Sequence, residues 1–286
     1  MGRRYKGFDN WPELPDTRDV LDLAPATELL LEGSLEDLKD LLRSQPNAVL
    51  VRDALGTTPL HWAVKLGKVE AIDLLVEAGA DIHVVGDDST TPLCNAVTSN
   101  VRARATCIKL LEAGADVDQR FWSGATALTL AMQSRSSIPM VDILLDAGAD
   151  VHRIHAGLSF LLIAANRSTS YTCEQLLFAG ADIEAQNPQG ETAVMRAVMN
   201  NNHSVLETLI CHGARLNGRT VYGHSVVHYA ASYGDIETMR ILEEACIEGL
   251  PMDGKALEQY WLWFDDRIHY LFSRHRAPQD NEEAAF

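Results

Sequence analysis

His224 and His228 stand four residues apart, and His152 and His155 three apart, spacings at which two imidazoles could begin a metal site. Neither pair fits well. His224 falls ahead of the helix expected to carry His228, and no cysteine lies close to His152 and His155. The five cysteines, Cys94, Cys107, Cys173, Cys211 and Cys246, are odd in number, form no CxxC pair and fall in segments that read as helical. They read as small buried hydrophobes in a reducing compartment. Asp87-Asp88 and Asp265-Asp266 read as solvated loop and helix surface. A GxGxxG after a strand, a P-loop, an HExxH and a GxSxG are all missing, so the chain is not expected to be an enzyme, and no catalytic residue, metal or cofactor is expected. Two features remain. The adjacent aromatics Phe121 and Trp122 cannot both point into one core, and exposed aromatics are common binding anchors. Arg102, Arg104 and Arg135 make a basic island that would suit an acidic peptide or a phosphate, or simply a solvated loop.

That island sits in an acidic chain of 286 residues with net charge −16. Neutralising nucleic-acid phosphates needs clustered Lys and Arg, so no nucleic-acid or anionic-membrane partner is expected, and a basic protein partner is weakly favoured. At 47% apolar residues the composition can bury a substantial core. No run of apolar residues is long enough to span a bilayer, and basic Met1–Lys6 leads into Gly7-Phe8-Asp9-Asn10 rather than an apolar stretch, which argues against a secretory signal. A cytoplasmic or nuclear location and a monomer are the expectations.

The elements that position these residues come from an internal repeat. Gly56-Thr57-Thr58-Pro59-Leu60-His61-Trp62-Ala63 returns as Ser89-Thr90-Thr91-Pro92-Leu93-Cys94-Asn95-Ala96. Weaker copies begin at Gly124, Gly157, Gly190 and Gly223, so the step is 33 residues, and 35 once. Ala78-Gly79-Ala80-Asp81 keeps the same beat at Ala113, Ala147 and Ala179, and as His212-Gly213-Ala214-Arg215. Thr58 suits an N-cap and Pro59 the first helical position. Gly67 can close that helix, and Val69, Ile72, Leu75 and Val76 recur at helical spacing in a second one. Gly79 ends it, and Asp81 to Ser89 form a projecting finger. Each unit is therefore helix, turn, helix, finger, and must stack on neighbours to bury its apolar face.

The two interlocked motifs resemble the ankyrin-repeat family over about Thr27 to Asp253. The resemblance implies an all-α ankyrin-repeat solenoid of six clear units with a degenerate N-terminal cap (Gly33, Leu35, Leu38, Leu41-Leu42). It also implies a protein partner lying across finger tips and inner helix faces. By alignment the finger positions are Leu55, Phe121, Trp122, Ile154, Val221 and Tyr222, and the inner-helix positions Lys65, Ser99, Gln133, Arg167, Asn200 and Tyr233. The helix–helix turns of the second and third units carry small insertions that hold the three arginines of the island.

The domain reading is an N-terminal arm over 1–25, repeats over 26–253, an amphipathic helix over 254–276 and a flexible acidic tail over 277–286. Leu257, Tyr260, Trp261, Phe264, Ile268, Leu271 and Phe272 make that helix a cap for the last repeat or a docking element. A protein-interaction scaffold is the leading function. Two alternatives stand beside it: a small-molecule binder or unconventional enzyme using the concave groove, suggested by Phe160 and Leu162 in the fourth unit, and a substrate receptor docked into a larger assembly through the C-terminal helix.

Overall fold

The computed structural model describes residues 24–247, except 55, 87–88, 100–101, 122–123, 134–137 and 168. The expected arm (apart from its last two residues), C-terminal helix and tail lie outside the described residues, as do Leu55, Trp122 and Arg135. The chain divides into two compact units, one up to Asp150 and one from Val151.

The first unit holds four helical hairpins: α1 (Pro25–Glu32) with α2 (Leu35–Ser44), α3 (Pro59–Lys65) with α4 (Val69–Glu77), α5 (Pro92–Thr98) with α6 (Ala103–Glu112), and α7 (Ala127–Gln133) with α8 (Ile138–Asp146). The leading helices α1, α3, α5 and α7 pack in sequence, and so do the trailing helices α2, α4, α6 and α8. The second unit repeats this with α9 (Phe160–Arg167) and α10 (Ser170–Phe178), α11 (Ala193–Met199) and α12 (His203–Cys211), and α13 (Val226–Tyr233) and α14 (Ile236–Ile247).

Local chemistry explains the start of each hairpin. Thr58 is extended and Pro59 opens α3, where a missing N–H costs nothing. Thr91 opens α5 the same way, its hydroxyl accepting the Cys94 N–H at 3.2 Å. His61 fixes one repeat to the next. The Thr90 carbonyl, 3.2 Å from its Nε2, can only accept, so Nε2 carries the proton. Nδ1 then accepts from the Thr58 hydroxyl at 2.9 Å. Leu60, Ile72 and Leu75 between the helix rows are fully buried, and each contributes about 1.5–3 kcal/mol by leaving water.

Gly79 closes α4 at φ +94°, with its N–H donating to the Val76 carbonyl and Ala80 N–H to the Leu75 carbonyl. The α11–α12 turn has Asn201 in the same left-handed region, at φ +50°. Its carboxamide offsets that strain by tying this turn to the next. Oδ1 accepts from Asp235 N–H at 3.1 Å and Thr238 Oγ1 at 3.0 Å, and Nδ2 donates to the Tyr233 carbonyl at 3.0 Å.

The cap's trailing helix is α2, with Leu38 and Leu42 buried and Leu35 left exposed. Cys94, Cys107 and Cys173 are buried, and burial pushes the Cys107 and Cys173 thiols up to about 12. Cys211 departs from the expected buried role: it is exposed near the end of α12, on the position that Glu77 holds in α4. Among the described residues no helix is long and apolar enough to cross a membrane.

Candidate functional site

The fingers share one backbone device. Asp53 N–H donates to the Thr57 carbonyl, Gly86 to Thr90, Phe121 to Ala125, Asn187 to Glu191 and Thr220 to His224, at 2.8–3.1 Å. Side chains at the base of these turns reinforce them: Asp53 Oδ1 accepts from Thr57 N–H, Asn187 Oδ1 from Glu191 N–H, and Thr220 Oγ1 from His224 N–H. Asp53, Gly86, Asn187 and Thr220 are all buried. Phe121 occupies this base position and is half-buried, so it does not project as a tip does. By alignment alone, Trp122 shares the register that Val221 holds three repeats later.

The fourth finger breaks the pattern. Ile154–His155 and Leu158–Ser159 form a two-stranded antiparallel ladder, and Ile154, at the base position by alignment, is 67% exposed. In the sixth finger Val221 is 67% and Tyr222 74% exposed. Neither residue swings loosely at the backbone. Val221 N–H donates to the Gln189 carbonyl at 2.9 Å, and Arg219 bridges Ser225 across the hairpin. A Cβ on Gly190 would lie 3.0 Å from Thr220 Cα and Val221 N, and one on Gly157 would lie 3.3 Å from the Pro188 ring. The three fingers of the second unit therefore touch in order and present Ile154 and Val221-Tyr222 from a fixed frame.

Behind them lies a polar cluster that sequence reasoning missed. Glu191 accepts from Tyr229 OH at 2.7 Å and from Asn187 Nδ2 at 2.6 Å, and pairs with Arg196. Burial by itself would raise the Glu191 carboxyl, but the Tyr229 and Asn187 hydrogen bonds and the Arg196 charge outweigh it and hold it below the usual carboxylate range. Burial and the Glu191 hydrogen bond push the Tyr229 phenol up to about 12. The only sequence signal was that Trp62, Arg196 and Tyr229 share one register of the repeat, each directly ahead of the small alanine of its leading helix. Trp62 is satisfied similarly, donating from Nε1 to buried Asp53 at 2.7 Å.

The inner-helix positions vary. Tyr233 is 55% exposed, with its ring centroid 6.2 Å from that of Tyr229. Gln133 and Asn200 are exposed, and Lys65 and Ser99 are half-buried. Asn200 Nδ2 donates to Asn166 Oδ1 at 3.0 Å. Arg167 lies in the last turn of α9. Phe178, at the end of α10, is 75% exposed and meets His212 edge-on; its alignment with Glu77 and Glu112 could have revealed it.

Of the arginine island, Arg102 and Arg104 are exposed, and Arg102 already faces Glu70 at 3.6 Å. Phe160 and Leu162, which suggested a small-molecule groove, are 1% and 0% exposed: they fill the core and line no open surface. His224 and His228 stack at 5.6 Å between centroids, with His228 Nδ1 held by Ser225. Among the described residues no group of three or more His, Cys, Asp or Glu is arranged to hold a metal ion.

Residues 26–121 and 161–248 match the family model for ankyrin repeats in three copies, and residues 123–155 match that for a single ankyrin repeat. Ankyrin repeat protein nuc-2 of Neurospora crassa is 31% identical over 197 residues, covering 68% of this chain and 18% of that protein. The B-cell lymphoma 3 protein homolog of Mus musculus is 30% identical over 199 residues, covering 66% of this chain and 44% of that protein. The chain thus spans less than half the length of these curated relatives. The crystal structure of the ankyrin repeat domain of Bcl-3, described as a unique member of the IkappaB family, superposes with a TM-score of 0.68 at 24% identity, covering 78% of this chain and 99% of that one. That likeness shows the ankyrin-repeat solenoid fold.

Proposed function

Because the chain belongs to the ankyrin-repeat family, we propose that it works as a protein-binding module holding a partner polypeptide across its finger tips, and not as a catalyst. The observation that carries this is the pair Val221 and Tyr222, 67% and 74% exposed on a finger whose backbone is pinned to its neighbour. Apolar side chains held out into water on a rigid frame lose little further entropy when a partner covers them, which is what an anchor requires. Ile154 adds a third such group in the same unit, and Tyr233 extends the surface onto an inner helix. By alignment Trp122 shares the register of Val221, and the Phe121 N–H ahead of it donates to the Ala125 carbonyl. Free cysteines buried within helices, Cys94, Cys107 and Cys173, suit a cytosolic or nuclear setting.

The test is affinity capture with the full chain against the variant Ile154→Ser, Val221→Ser, Tyr222→Ser, read by quantitative mass spectrometry. A specific protein should be enriched on the intact chain, and its affinity should fall by more than ~2 kcal/mol on the variant while helical circular dichroism is unchanged. A specific protein retained equally by the folded variant would refute the finger-tip reading.

A further inference from the structure

The charge of the chain and the charge of its sixth finger have opposite signs. The chain carries −16, yet from Thr208 to Gly234 it contains no aspartate or glutamate. The finger from Arg215 to Ser225 carries Arg215, Arg219 and His224, all exposed, beside the exposed Val221 and Tyr222. Arg219 Nη1 donates to the Gly223 carbonyl at 3.1 Å, which fixes the guanidinium along the tip. Among the described residues no carboxylate pairs with it. The His224 ring lies 6.2 Å from the Tyr222 ring and 5.6 Å from His228, both centroid to centroid. Arginine and the two imidazoles are close enough to feel one another: burial first, then His224 and Arg219, hold His228 below its ordinary pKa. The acidic groups of the neighbouring finger are already committed. Glu184 accepts the Arg215 N–H at 2.7 Å, and Glu191 belongs to the Tyr229 cluster.

We propose that this finger takes an acidic segment of the partner, with glutamate or aspartate carboxylates on Arg219 and His224 and an apolar side chain over Val221 and Tyr222. The inference rests on the finger-tip reading and specifies its occupant. At physiological ionic strength fields are screened within about 8 Å, so the charges at the contact, rather than the net charge of the chain, decide which segment seats there. Arginine offers a planar fork of donors suited to a carboxylate, and one N–H is already spent holding it in place. The apolar pair supplies the desolvated centre that makes such ion pairs stronger.

The probe is a fluorescein-labelled synthetic peptide of alternating glutamate and leucine, with a lysine–leucine counterpart, titrated by anisotropy into the full-length chain and into Arg219→Glu, Arg219→Gln and Tyr222→Ala. The glutamate peptide should bind the intact chain, lose at least tenfold on Arg219→Glu and less on Arg219→Gln, and weaken further as salt rises. The lysine peptide should not weaken on Arg219→Glu. Absence of binding by the glutamate peptide, or equal affinity for the intact chain and a folded Arg219→Glu, overturns the acidic occupant. If Tyr222→Ala weakens both peptides while Arg219→Glu weakens neither, the finger-tip reading stands and the charge preference falls. If Tyr222→Ala weakens neither peptide, the apolar half of the proposal falls with it.

Discussion

Replacing Gly190 with alanine separates two costs that a turn glycine can conceal. Gly190 has φ +78° and Gly79 has φ +94°, so a Cβ at either site meets the left-handed penalty of about 1–2 kcal/mol. Around Gly79 a Cβ would find nothing within 4 Å, and the cost stops there. Around Gly190 it would lie 3.0 Å from Thr220 Cα and 3.0 Å from Val221 N, backbone atoms that cannot rotate aside. Overpacking of this kind adds about 1–3 kcal/mol, so Gly190→Ala should cost ~2–5 kcal/mol against ~1–2 kcal/mol for Gly79→Ala. Urea denaturation followed by circular dichroism measures both, provided the slopes are compared before the midpoints. The displaced backbone also carries the Val221 N–H bond to the Gln189 carbonyl, so Gly190→Ala should weaken partner binding, whereas Gly79→Ala should not. Equal losses of stability in the two variants would show that the fingers of the second unit do not press together as described.

Further outcomes follow from the buried groups. Tyr229→Phe removes a hydrogen bond to a carboxylate and should cost ~1.5–3 kcal/mol in urea melts at neutral pH. The Tyr229 phenol is raised from 10 to about 12, so its contribution is complete below pH 10 and is lost as pH climbs toward 12; the stability difference between wild type and Tyr229→Phe should shrink across that interval. Glu191 is shifted the other way, so its contribution is present above pH 4.5 and is lost as pH falls below it, a decline that Glu191→Gln should flatten. Phe160→Ala, at a side chain 1% exposed, should cost ~3–5 kcal/mol. In the native protein a thiol reagent read by peptide mapping should modify exposed Cys211 at once and reach Cys107 and Cys173 only on unfolding, since burial holds both as thiols up to about pH 12.

The hairpins were legible because each rests on residues whose conformational preferences act locally. Thr58-Pro59 and Thr91-Pro92 start helices and Gly79 ends one by local preference. The recurring glycines at 56, 124, 157, 190 and 223, together with the Ala-Gly-Ala turns, carried the register into units that lack the Thr-Pro start. The sixth-finger residues Val221 and Tyr222 followed from that register. The Glu191–Arg196–Asn187–Tyr229 cluster did not, because Glu191 and Tyr229 are 38 residues apart and nothing in either neighbourhood announces the other. Cys211 and Phe178 were missed for a simpler reason: a trailing helix turns one face outward, and the glutamates at 77 and 112 mark that face only when the repeats are compared column by column.

Phe121 shows where reading by residue type gives way to reading by register. Two adjacent aromatics in a loop suggest two anchors, yet neighbouring residues of a tight turn have different duties. Outside the fourth finger, where Ile154 breaks the pattern, the base residue closes an N–H to carbonyl bond and faces inward, as buried Asp53, Asn187 and Thr220 do; the next residue is carried outward, as Val221 is. A large side chain at the base stiffens the turn, and one at the tip meets a partner. Phe121→Ala should therefore lower stability more than it lowers affinity, and Trp122→Ala the reverse. The two effects can be compared in one pair of variants by urea melts and by titration with the captured partner. If Phe121→Ala weakens binding as much as Trp122→Ala while leaving the melt unchanged, the division between base and tip fails, and Phe121 is itself an anchor.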